Sequence, residues 1–83
     1  MKKKFIYFSA PWCGPCRMFG PVMERISQSG IPVDKVNVDA VPATAVAYGV
    51  KSVPTTILVD ENGTEITRFV GAKSEAEVKA IYG

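Results

Sequence analysis

Cys13 and Cys16 are the only two cysteines among 83 residues, and they flank a Gly-Pro pair in the run Trp12-Cys13-Gly14-Pro15-Cys16. Two thiols three residues apart at the first turn of a helix share one face and lie close enough to close a small disulfide ring. A ring of four residues constrains the unfolded chain by only roughly 2 kcal/mol, well short of what a long loop yields. The spacing therefore favours a reversible dithiol over a structural staple. Metal knuckles share this spacing, so thiolate ligation is a competing reading. With two cysteines per chain, a metal or iron-sulfur centre needs four thiolates from two copies.

Composition removes other chemistries. The chain has no histidine, which excludes mixed Cys/His zinc sites and any Cys-His catalytic pair. It also excludes c-type haem attachment, because Arg17 stands where that motif needs a histidine. Whatever activates a cysteine must be backbone, lysine, arginine or carboxylate. Ten Lys plus Arg against eight Asp plus Glu leave a net charge of +2, too weak and dispersed for a nucleic-acid footprint. With 47% hydrophobic residues, residues 1–83 are expected to form one small domain with an efficient core.

Met1-Lys2-Lys3-Lys4 before Phe5-Ile6-Tyr7-Phe8 imitates the start of a signal peptide, but Ser9 breaks the run before the roughly 7 to 15 apolar residues of an h-region. No stretch approaches the roughly 20 apolar residues that cross a bilayer. A cytoplasmic, reducing location, no membrane partner and a monomer are the expectation.

The elements that must position the dithiol follow from periodicity. Phe5 to Phe8 is a continuous apolar run, as in a central strand covered on both faces. Met18, Phe19, Val22, Met23 and Ile26 recur at three- and four-residue spacing, predicting an amphipathic helix from Cys13 to about Ser29, stopped by Gly30. Both Met18 and Met23 fall in the core on this reading. Pro21 inside that helix leaves the Arg17 carbonyl without its helical donor, and Tyr7 is read as a core residue whose hydroxyl needs a partner. Val33 to Asp39 alternates as a second strand, giving a parallel, right-handed βαβ unit. Pro42 to about Tyr48 allows a short helix. Thr55 to Asp60 and Glu65 to Val70 flank Asn62-Gly63, a strong hairpin signal. Ser74 and Glu77 form a capping box ahead of an apolar stripe of Val78, Ile81 and Tyr82. The order βαβαββα predicts an α/β fold, a mixed four-stranded sheet flanked by helices.

At a helix N-terminus, unpaired N-H groups and the positive end of the dipole favour an anion, so Cys13 is expected to be the attacking thiolate. Cys16, one turn in, is expected to be more buried and to resolve the mixed disulfide. Pro15 has no N-H and limits the donors available to the thiolate.

Trp12-Cys13-Gly14-Pro15-Cys16, Pro21, Lys35 and Asp39, Val53-Pro54-Thr55 and Phe69-Val70-Gly71 together resemble the thioredoxin family in order and spacing. The resemblance covers nearly the whole chain, less the N-terminal strand and helix of most members, and so suggests a minimal thioredoxin fold. It implies a protein disulfide reductase with Gly14 and Pro15 favouring reduction. It further implies no bound cofactor, and reducing equivalents drawn from NADPH through a thioredoxin reductase. By the same resemblance Pro54 is cis, and substrates meet Cys13 across Trp12, Ala10, Pro11, Val53, Pro54, Gly71 and Ala72. An extended substrate segment would pair with the backbone of Val53.

One departure concerns mechanism. Members carry a buried aspartate on the central strand, thought to handle the proton of the resolving cysteine, where this chain has Tyr7. Lys35 then lacks its partner and is expected at the surface. Glu24 is too far along the helix to be a ready substitute, which leaves water or the substrate thiolate as carrier. Lys35 and Asp39 otherwise read as plain strand-end residues, and Arg17 and Lys51 as solvated charges. Two alternatives are a glutaredoxin-like electron donor, for example to ribonucleotide reductase, and a thioredoxin-fold scaffold that needs neither cysteine.

Overall fold

The computed structural model describes residues 2–83. Phe5 to Phe8 are all buried, and the two-residue period of a strand divides them between opposite faces. Phe5 and Tyr7 join Phe19, Met23, Ile26, Leu58 and Val78 in one cluster. Ile6 and Phe8 join Ala45, Ile57 and Val59 in the other. This is why β1 (Lys4–Ser9) shows no polar alternation: both of its faces are covered.

The remaining elements are α1 (Gly14–Gln28), β2 (Val33–Asn37), α2 (Pro42–Ala47), β3 (Thr55–Val59), β4 (Glu65–Val70) and α3 (Glu75–Tyr82). The predicted βαβαββα order holds. The sheet order is β2-β1-β3-β4, with β1 and β2 parallel and the other two pairings antiparallel. Helices α1 and α3 cover one face and α2 the other. Ile81 and Tyr82 pack beside Val78 as the expected stripe. The Tyr82 hydroxyl donates to the Lys3 carbonyl at 3.1 Å, which brings the two ends of the described chain together.

Two expectations about α1 change. Cys13 is its N-cap rather than its first turn, and Met18 is not core but 79% exposed. The buried stripe is Cys16, Phe19, Met23 and Ile26, stepping by three, four and three residues. Met18 lies about 100° around the helix from Phe19 and points away from the sheet. Beyond the helix, Gly30 adopts φ +100°, a left-handed turn that glycine makes at little steric cost.

The capping box of α3 forms as predicted, with Glu77 N-H donating to Ser74 Oγ at 3.2 Å and Ser74 N-H to Glu77 Oε1 at 3.0 Å. The Ser74 N-H, and after it the Ser74 hydroxyl, hold the Glu77 carboxyl below the usual carboxylate range. A carboxyl depressed by folding contributes stability above its unfolded pKa and loses it as pH falls through the folded one. Ser74→Ala should cost about 1 kcal/mol in urea unfolding at neutral pH. The backbone N-H bond to Glu77 survives in this variant, so only the share of the penalty that comes from the Ser74 hydroxyl beside the carboxylate should shrink in acid as Glu77 protonates; a penalty independent of pH would contradict that hydroxyl contribution.

Candidate active site

Parallel, in-register strands deliver their loops to the same edge of a sheet. Ser9 pairs with Asn37, so the turn after β1 and the loop after β2 leave the sheet side by side. Antiparallel pairing brings the start of β3 and the end of β4 to that edge, with Thr55 opposite both Phe8 and Val70. Four chain segments therefore converge where Trp12 to Cys16 begins α1.

Cys13 N-H donates to the Ala10 carbonyl at 3.1 Å, closing the turn that carries Trp12. As the N-cap, Cys13 accepts the Cys16 N-H on its own Sγ at 3.2 Å, and Pro15 occupies the first turn, where a missing N-H costs no helical bond. That turn contains no acidic residue, so no nearby carboxylate on α1 opposes a negative Cys13. Cys13 and Cys16 are joined as a disulfide with Cα atoms 5.3 Å apart. In this oxidised state Cys13 is 4% and Cys16 7% exposed, which corrects the expectation that Cys16 is the more buried. Cys13 shares a buried cluster with Ala10 and Cys16, against Val38 and Val53.

Around this pair the predicted residues sort into exposed and buried sets. Trp12 is 67% exposed, and Gly14 and Pro15 are exposed as well. A Cβ built on Gly14 meets nothing within 4 Å, so the space above it is open. Val53 and Gly71 are half-buried, whereas Ala10 and Pro54 are buried. Those last two therefore do not line the surface as expected, because the start of β3 and the turn before Trp12 are packed under it. The Val53-Pro54 bond is cis. Gly71 N-H donates to the Pro54 carbonyl at 2.9 Å, and its φ of +88° turns the chain away from β4 at that point.

Asp39 is more than a strand-end residue. Its Oδ2 accepts the Trp12 indole N-H at 3.0 Å, fixing the exposed ring beside the disulfide. The signal was present in the topology: a residue just past β2 must neighbour one just past β1. Lys35 lies at the surface as expected, but it does have a partner there, Glu24 of α1. Tyr7 is buried as read, and its hydroxyl lies 3.4 Å from the Cys16 carbonyl, to which it donates. Burial pushes the Tyr7 phenol above its ordinary pKa, against a smaller opposing effect from Ser9. A cleft of about 640 Å³ opens on the other side of Cys16, lined by Tyr7, Gly20, Pro21, Glu24 and Lys35 among others.

The Thioredoxin family model matches residues 1–82. The chain belongs to the thioredoxin family. Thioredoxin from Chlamydia caviae is 47% identical over 72 residues, spanning 84% of this chain and 70% of the relative. Thioredoxin from Streptomyces clavuligerus is 44% identical over 77 residues, spanning 90% and 71%. Among solved structures, a mutant thioredoxin from Halobacterium salinarum superposes with a TM-score of 0.87 at 38% identity, covering 96% of this chain and 71% of that one. Fasciola hepatica thioredoxin gives 0.86 at 32% identity, covering 96% and 77%.

As a member of the thioredoxin family with a Cys13-Cys16 pair, this chain is a dithiol-disulfide oxidoreductase. Family membership carries disulfide-containing proteins and a reductase as its general partner classes, and thioredoxins need no bound cofactor. Among the described residues, no cluster of three or more His, Cys, Asp or Glu could hold a metal ion, and no helix is long and apolar enough to cross a membrane.

Proposed function

We propose that this chain is a one-domain, monomeric cytoplasmic reductant of protein disulfides, with Cys13 attacking and Cys16 resolving. The observation that carries the reading is the position of Cys13 as N-cap of a helix without an acidic first turn, where the helix end favours the thiolate. In the reduced protein, Cys13 thiolate attacks one sulfur of a substrate disulfide. The other substrate sulfur leaves as a thiolate and takes up a proton. Cys16 then loses its proton and attacks Cys13 Sγ, expelling the second substrate thiolate. Two electrons pass from the protein dithiol to the substrate, and the protein is left as the disulfide seen here.

Trp12, oriented by Asp39, together with Gly14, Pro15, Val53 and Gly71, forms the face a substrate crosses to reach Cys13. Pro54 supports that face from below, with its carbonyl held by Gly71. The half-buried Val53, just ahead of β3, suits an extended substrate segment that adds to its backbone. A thioredoxin reductase drawing on NADPH returns the disulfide to the dithiol and so completes an electron-transport cycle.

Turnover of insulin disulfides in the presence of NADPH and a thioredoxin reductase tests the reading. NADPH consumption that rises with the concentration of this protein is the expected result. Its absence with several reductases, while glutathione alone recharges the pair, would replace the reading with the glutaredoxin-like one.

A further inference from the structure

Resolution requires a base for Cys16, which is nearly enclosed in the fold. Its thiol must lose a proton before attacking Cys13, and the cleft beside it is the route through which that proton can leave. The charged and titratable side chains on the cleft are Tyr7 from β1, Arg17 and Glu24 from α1, and Lys35 from β2. Phenol, guanidinium and ammonium groups keep their protons near neutral pH, whereas a carboxylate has given its up. Glu24 is the one carboxylate among the described residues of the lining.

The helix lays out a path between the two groups. Cys16, Gly20 and Glu24 succeed one another at four-residue spacing and so lie along one side of α1. Cys16 and Glu24 are about 12 Å apart along the axis, too far for direct transfer. Helical side chains lean toward the N-terminus, which brings the Glu24 carboxylate back toward Cys16. Between them Gly20 has no side chain, and even a Cβ there would meet nothing within 4 Å. Pro21 contributes as well: it has no N-H for the Arg17 carbonyl, which leaves an acceptor free along the same cleft. Lys35 pairs with Glu24 across from the neighbouring strand and fixes the carboxylate at the far end.

We propose that Glu24, positioned by Lys35, accepts the Cys16 proton through water in the cleft floored by Gly20. The proton passes from Cys16 Sγ to water and on to the Glu24 carboxylate. It then exchanges with solvent, because the side chains of Glu24 and Lys35 are 47% and 55% exposed. Neither residue touches the reacting sulfurs. This inference rests on the roles proposed above for Cys13 and Cys16.

Stopped-flow reaction of the reduced protein with an aromatic disulfide such as dithiobis-nitrobenzoate separates the steps. Each attack releases one coloured thiolate, first from Cys13 and then from Cys16. Glu24→Gln should leave the first phase unchanged and slow the second about tenfold at neutral pH. That is less than the roughly 10²- to 10⁴-fold of directly placed acids and bases, because bulk water competes. Gly20→Leu, which fills the cleft but keeps the ion pair, should slow the second phase in the same way. An unchanged second phase in Glu24→Gln overturns the proposal, and so does equal slowing of both phases, which marks a structural effect. A first phase that does not depend on Cys13 overturns the underlying reading instead, and this inference with it.

Discussion

Cys13→Ser should reduce protein disulfides no faster than the uncatalysed background while remaining folded. The hydroxyl of serine is not ionised near neutral pH and cannot carry a substrate sulfur as a mixed disulfide. Serine is also a favoured N-cap, so its Oγ can take over the Cys16 N-H that Cys13 Sγ now accepts. Stability should therefore fall only by the contribution of the small ring, roughly 2 kcal/mol relative to the oxidised protein. Cys16→Ser should behave differently. It keeps the attacking sulfur and loses the resolving one, so a substrate disulfide should leave it as a covalent adduct on Cys13, read as a mass increase that dithiothreitol reverses. Turnover of insulin by Cys13→Ser would sink the assignment of the attacking residue. Multiple turnover by Cys16→Ser without an adduct would sink that of the resolving one.

The largest structural effect is expected at Phe19. It is 1% exposed and meets Tyr7 and Phe69 edge-on, at centroid distances of 5.7 and 6.0 Å. Truncation to alanine removes most of the ring's buried area and leaves a cavity that three rigid elements cannot close. Such a change costs about 3–5 kcal/mol. A domain of this size holds only about 4–12 kcal/mol in total, so Phe19→Ala should shift the urea midpoint far down or leave the protein partly unfolded at ambient temperature. The neighbouring Met18→Ala is the control. Its side chain is exposed, and the change should stay within about 0.5 kcal/mol. Equal effects at the two positions would contradict the placement of the buried stripe.

That contrast shows where the amino-acid order suffices. Phe5 to Phe8, the capping box at Ser74 and the hairpin at Asn62-Gly63 are local patterns, and each specifies its element without reference to a partner. Met18 stays outside the core despite its spacing, because apolar spacing gives the period of a helix but not the width of the face its sheet will cover. The cysteine pair was legible from spacing and placement alone. Asp39 and Glu24 were harder to find. Each acts on a residue of another element, Trp12 in one case and Lys35 in the other, and those meetings depend on strand register and helix rotation. The relative burial of Cys13 and Cys16 is also not legible from the sequence, since it depends on how the two residues pack with Ala10 against Val38 and Val53.

The joining of Tyr82 to Lys3 has a consequence for how this protein can be carried. Lys4 pairs with Val59 at the edge of the sheet opposite the cysteines, so both ends of the described chain and the Asp60 to Thr64 turn lie on the side away from the cysteine pair. Any polypeptide fused to either end leaves from the rear, and a tether or neighbouring module need not cross Cys13. The chain has a handle at one end and its cysteine pair at the other, and lengthening the handle should leave the approach to that pair unchanged.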